Sequence, residues 1–264
     1  MAIQPVQSVT SILSARPNRR HQFHIVNRPD DFTVPQDPEL FFTLNAKPVT
    51  KLGRTDTACI SQNEFTAPIL CKPLRQPFVL AEVTIQAHFE QLGDQAGIAI
   101  FLEPVSRQNG GRRISSGWLH LPASSTNWAR VALERLQDHL AITTLVGSAQ
   151  PFLDRQISTP FPSCEPVAHE HDCDVQVRLK LEKVGHALWA WYKVLPEDED
   201  DENDPTPEHV SRQWTKCDEL TDFFTGPWEK ANVVVGCYAS RPLTTTFSGM
   251  DSKLTVEFHE LDIL

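Results

Sequence analysis

The sequence predicts an all-β protein, a two-sheet antiparallel β-sandwich, and three observations carry the prediction. Apolar and polar residues alternate with period two along several short stretches, as on strands with one dry and one wet face. These stretches, roughly nine to twelve of them, are separated by turn-rich segments, with no internal repeat and little helical period. The chain also carries 20 prolines, which suit loops between short strands better than long helices.

The clearest element is Gln176–Val194. Val177, Leu179 and Leu181 alternate with Arg178, Lys180 and Glu182. Gly185 supplies the positive φ of a tight turn, and Leu188–Val194 returns as a second strand. Leu188, Ala190, Tyr192 and Val194 fall on one face of it, Trp189 and Trp191 on the other. The two tryptophans are either inter-sheet core, which aromatics dominate, or a stacking platform.

Taken in order, residues 1–28 lack periodicity and read as an N-terminal arm, in which Phe23–Val26 can start an edge strand. Residues 29–264 read as a single sandwich domain. Phe41–Leu44 forms a short strand, and Lys51–Ser61 reads as a loop. Phe65–Leu74, with Pro68 and Pro73, runs along an edge. Phe78–His88 is a strand with Val79, Ala81, Val83, Ile85 and Ala87 on one side, and Ile98–Leu102 is a central strand. Trp128, Arg130, Ala132, Glu134 and Leu136 stand opposite Ala129, Val131, Leu133 and Arg135 on another strand, and Leu140–Val146 is β-rich. Residues 147–174 are Pro-rich and aperiodic. Glu197–Asp204 places seven acidic residues in eight positions, a self-repelling block expected as a disordered loop inserted between strands. Leu220, Phe223 and Phe224 anchor a turn or short helix. Val233–Ala239 and Lys253–Leu261 are the last strands, with Leu254, Val256, Phe258 and Glu260 expected on one face.

Composition excludes some functions. A net charge of -10 disfavours a nucleic-acid partner, because phosphates want Lys and Arg. No apolar run is long enough to span a membrane. The first residues lack a basic-then-apolar signal pattern, so a cytoplasmic protein is expected. Six cysteines permit disulfides that such a chain does not need, and Cys237 reads as a small buried hydrophobe.

Few residues form a chemical constellation. A retaining glycosidase needs two carboxylates close together on one strand face. No apolar-flanked strand supplies them, and Glu257 and Glu260 are expected on opposite faces. Cys164, His169, His171 and Cys173 offer four zinc-ligand types, but the single residue between the histidines and the loop setting favour a polar insertion. No metal and no cofactor is expected, and no phosphate-loop, dinucleotide or nucleophile-elbow signature occurs. Asp94 and Gln95 stand at the mouth of a core strand, either capping a turn or bonding a ligand. Arg130 and Glu134 share a face with Trp128, either as a solvated pair or as the acid and cation of a pocket. Tyr238 can add a phenol.

Five motifs in order resemble the DUF1349, or regulation-of-enolase-like, family of concanavalin-A-like sandwiches. They are Asp94–Gly97 (DQAG), Trp128–Leu136 (WARVALERL), the Val177–Tyr192 hairpin, Val233–Ser240 (VVVGCYAS) and Val256–Leu261. The resemblance covers about residues 37–263. Ala132 stands where that family usually has Gly, and Val177 where it has Trp. The acidic insertion, the 103–117 loop and the 147–174 segment also depart from it. The resemblance implies a jelly-roll fold without fixing one activity, and some fungal members look like components of specialised-metabolite pathways.

The resulting expectation is non-hydrolytic binding of a small molecule or glycan in an aromatic-lined concavity. Arg130 orients an oxygen, Glu134 a hydroxyl, and Trp128, Trp189, Trp191, Tyr238, Asp94 and Gln95 line the site. Two alternatives stand beside it. One is a cofactor-free enzyme that cyclises or dehydrates a polyketide or terpenoid-derived substrate in the same pocket, with Arg130 and Glu134 catalytic. The other is a protein-interaction module using the acidic loop.

Overall fold

Alternation becomes strand pairing in the computed structural model, which describes residues 23–57, 60–103, 127–137, 139–147, 155–161, 175–195, 213–243 and 253–264. One sheet has seven strands in the order β1 (His24–Val26), β5 (Ile69–Pro73), β14 (Asn232–Ser240), β7 (Gln95–Glu103), β8 (Asn127–Leu136), β9 (His139–Gly147) and β10 (Arg155–Pro160). The other has six: β13 (Thr215–Leu220), β12 (Ala187–Val194), β11 (Val175–Val184), β6 (Leu80–Ala87), β15 (Leu254–Ile263) and β2 (Phe41–Ala46). A separate hairpin joins β3 (Leu52–Thr57) to β4 (Ile60–Phe65). Neighbouring strands in both sheets run antiparallel. The fold is therefore a two-sheet antiparallel sandwich of the jelly-roll, concanavalin-A-like type.

The core lies between the sheets. Ala81, Val83 and Ile85 of β6, Val177, Leu179 and Leu181 of β11, and Leu188 and Ala190 of β12 face Ile98, Ile100, Val131, Leu133 and Val235. Strands β7 and β8 are buried on both faces. That explains their near-continuous apolar runs, since a central covered strand has no wet side to keep polar. Gly185 makes the β11–β12 turn at φ 63.

The structure departs from expectation at five places, the smallest being Val79, which precedes β6 and is exposed instead of joining Ala81, Val83 and Ile85 in the core. Residues 52–65, expected as a loop up to Ser61, form the β3–β4 hairpin. Its apolar members Leu52 and Phe65 pair at the open end and pack on Trp128 and Phe101, so the alternation lies in too few residues to register. Residues 155–160, inside the aperiodic stretch, form the edge strand β10, which needs a partner on one side only. Strand β5 lies one strand in from the edge, which β1 occupies. Strand β15 changes register between His259 and Asp262, with Glu260 at φ 52. This bulge flips the parity of the residues beyond it. Leu261 enters the core in place of Glu260, and the Glu260 carboxylate reaches Arg178 on the outer face. Glu260 and Glu257 are thus not divided between core and solvent.

Candidate functional site

The outer face of the seven-stranded sheet carries an unusual grid. Read across β14, β7, β8 and β9, one row is Ser240, Gln95, Glu134 and Ala141, and the next is Tyr238, Gly97, Ala132 and Thr143. Then come Gly236, Ala99, Arg130 and Leu145, and finally Val234, Phe101, Trp128 and Gly147. One end of the grid is polar, the other aromatic, and small residues floor the middle. Two glycines are forced by close approach. A Cβ on Gly97 would fall 2.0 Å from the Val131 carbonyl oxygen, and one on Gly147 would lie 2.2 Å from the Trp128 indole nitrogen.

The small floor lets Arg130 lie along the sheet over Ala132. Its Nη1 donates to the Tyr238 hydroxyl at 2.9 Å and to Thr143 Oγ1 at 3.3 Å. Its Nη2 donates to Glu134 Oε2 at 3.3 Å, and the Thr143 hydroxyl donates to the same oxygen at 2.7 Å. The Tyr238 hydroxyl donates its own proton to Gln95 Oε1 at 2.9 Å. Arg130 and Glu134 are only 4% and 8% exposed. The sequence favours a partly wet pocket here, and the structure instead buries the ion pair. Burial works against the Arg130 charge, but Tyr238 and Glu134 more than offset it, so the guanidinium is held above its usual range. Burial also pushes the Tyr238 phenol well up, so it stays protonated and keeps donating. Two donors in this cluster, Arg130 Nε and Trp128 Nε1, are buried and have no hydrogen-bond partner among the described residues. Leaving such a group unpaired costs about 1–3 kcal/mol.

The other expected site residues fall in different places. Gln95 belongs to the cluster. Asp94 is fully buried, and its carboxylate caps the β6–β7 turn by accepting from the Glu90 and Gln91 amides. It also receives a two-bonded fork from Arg241, at 2.9 and 2.7 Å. A carboxylate offers about four acceptor positions, so Asp94 is committed to structure. Trp189 and Trp191 do not share a sheet with Arg130, contrary to the expectation that both mixed faces line one concavity. They stand on the outer face of the six-stranded sheet, half-buried, with Leu188, Ala190 and Tyr192 turned to the core. They are therefore not inter-sheet core either. Cys164, His169, His171, Cys173 and the acidic block 197–204 lie outside the described residues.

Thr143 and Arg241 escape a reading of the sequence. Thr143 lies in the uniformly β-rich LAITTLV, where only the register against Ala132 marks it as a partner of Arg130. A surface groove of about 390 Å³ lies elsewhere, along the β1–β5 edge, lined by His24, Lys72, Arg75 and Leu264 among others. It gathers no buried polar cluster, so chemistry rather than hollow volume locates the candidate site.

No family model matches the chain, that of DUF1349 included, and no curated protein matches it in sequence. Its shape is similar to that of a functionally unknown protein from Saccharomyces cerevisiae, at 16% identity over 93% of this chain and 97% of that one, with a TM-score of 0.57. It is also similar, at a TM-score of 0.46, to LamAcat from Zobellia galactanivorans, with 11% identity over 94% of this chain and 92% of that one. An alginate lyase from Klebsiella pneumoniae aligns at a TM-score of 0.47, with 10% identity over 90% and 85% of the two chains. The first likeness shows the sandwich fold alone, and the two weaker ones carry no argument about chemistry. Among the described residues, no helix is long and apolar enough to cross a membrane.

Proposed function

We propose that this sandwich binds a small, oxygen-bearing and partly apolar ligand, a small molecule or a sugar unit, on the outer face of the seven-stranded sheet. The observation that carries the reading is the buried network of Arg130, Glu134, Tyr238, Thr143 and Gln95, set beside Trp128 and Phe101. A buried ion pair adds little net stability over a well-packed apolar set, so stability alone is a poor reason to hold one. A fixed donor–acceptor array next to an aromatic wall is the usual make-up of a ligand site. The unpaired Arg130 Nε supplies a donor for a ligand oxygen. The order of the five motifs along β7, β8, β11–β12, β14 and β15 also supports placing the chain with the DUF1349 sandwiches.

Ligand-observed NMR with methyl glucuronide, methyl glucoside and 4-hydroxybenzoate tests the reading, with Arg130→Lys as the probe variant. Lysine keeps the charge but loses the planar fork and Nε. At least one of these compounds should bind, and Arg130→Lys should weaken it about tenfold or more, a loss of ~1.4 kcal/mol. Undiminished binding by a folded Arg130→Lys variant would remove the cluster from the site. A product signal during the titration would make the same cluster catalytic, with Glu134 and Arg130 at the reacting atoms.

A further inference from the structure

Three of the six tryptophans meet on the opposite side of the molecule. Trp189 and Trp191 lie two residues apart on the outer face of β12, with ring centroids 5.7 Å apart, and Trp214 immediately precedes β13. Lys180 of β11 places its ammonium 5.1 Å from the Trp191 ring and 4.7 Å from the Trp214 ring. Lys216 of β13 does the same at 4.3 Å over Trp189. All three indoles are half-buried on a face against which neither the other sheet nor the β3–β4 hairpin packs.

From this geometry we infer a second binding surface, for a neutral oligosaccharide, formed by Trp189, Trp191 and Trp214 with Lys180 and Lys216. Charge decides the ligand class. Lys180 is paired with Glu182 at 3.3 Å and Lys216 with Glu219 at 2.8 Å, so the strip carries balanced charge and selects neither an anion nor a cation. What remains is aromatic surface, with the Trp189 and Trp191 rings tilted 56° to each other, edged by the lysines and glutamates as donors and acceptors. A pyranose presents the matching chemistry, with an apolar face of C–H groups and a rim of hydroxyls that both give and take hydrogen bonds. The lysines hold the indoles in place before binding, which lowers the ordering cost of stacking a ligand on them. Sheets in a sandwich pack about 10 Å apart, so this strip and the Arg130 cluster, on opposite outer faces, cannot share one small ligand.

The test is a titration of uniformly 15N-labelled full-length protein with cellotetraose and with maltotetraose, up to about 10 mM, well above a millimolar dissociation constant. The indole N–H signals of Trp189, Trp191 and Trp214, assigned from single Trp→Phe variants, should shift saturably with at least one sugar, while that of Trp128 stays still. Trp191→Ala should weaken binding about tenfold, whereas Arg130→Lys leaves it unchanged. Absence of saturable shifts with either sugar overturns the inference, and so does a response confined to Trp128. The wild-type shifts decide the matter even if Trp191→Ala fails to fold. Because Arg130→Lys affects only the first surface, failure here is distinct from failure of the proposed function.

Discussion

Cys71, Cys217 and Cys237 are free thiols in the sandwich, Cys71 and Cys237 buried and Cys217 half-buried. Burial pushes Cys71 and Cys217 up to about 12, Asp218 adding to it at Cys217, and pushes Cys237 higher still. The thiolate is the reactive form, so at pH 9 Cys71 stays protonated in the folded chain. Iodoacetamide at pH 8.5, read by peptide mass spectrometry, should leave Cys71 and Cys237 unmodified until denaturant is added. The same shift has a stability sign. An ordinary cysteine in the unfolded chain loses its proton near pH 8.5–9, while the folded chain holds it to about 12. Stability is therefore intact below about pH 8.5 and falls as pH rises from there towards 12. Fast labelling of both residues in folded protein would contradict the burial. Cys237 is legible as a buried hydrophobe from its place in VVVGCYAS. Glu260 is not, because strict alternation from Leu254 assigns it to the core. Only the bulge, one residue held at φ 52, sends it out to Arg178, and no local turn residue announces that bulge.

At the scale of elements, the strands that pack on two sides are the easiest to read. The inner–outer division of β8 follows from the sequence alone, with Ala129, Val131 and Leu133 in the core and Trp128 and Ala132 in the outer cluster. The sorting of β12 into Leu188, Ala190 and Tyr192 against Trp189 and Trp191 follows in the same way. What alternation cannot say is which sheet a strand joins, since period two is the same in both. Alternation therefore sets the tryptophans beside Arg130, although β12 and β8 belong to different sheets. Cross-strand register supplies the missing information, and it also explains the DQAG turn. Gly97 lies opposite Ala132, where any side chain would meet the Val131 carbonyl. Gly97→Ala should thus cost about 1–3 kcal/mol, the usual range for overpacking, and lower the melting temperature by several degrees. Calorimetry showing no change would mean that β7 and β8 sit farther apart than described. Gly185→Ala serves as the comparison, since a Cβ there meets no atom within 4 Å and suffers only its φ of 63°.

The whole molecule presents two chemically different outer faces around one apolar core. The seven-stranded sheet carries a closed, charged network roofed at its aromatic end by Leu52 and Phe65. The six-stranded sheet carries a half-buried strip of indoles and balanced ion pairs. Asp218 links the sheets through the core edge, accepting from the Thr144 hydroxyl at 2.6 Å. The first of these faces is the one proposed to receive the ligand. The most direct measurement is a crystal soaked separately with methyl glucuronide and with 4-hydroxybenzoate. Ligand density is expected against the Arg130 side chain, with an oxygen within hydrogen-bond reach of Arg130 Nε and a ring towards the half-buried Phe65. Density confined to other surfaces, with the Arg130–Glu134–Tyr238 network undisturbed at saturating soak, would contradict it.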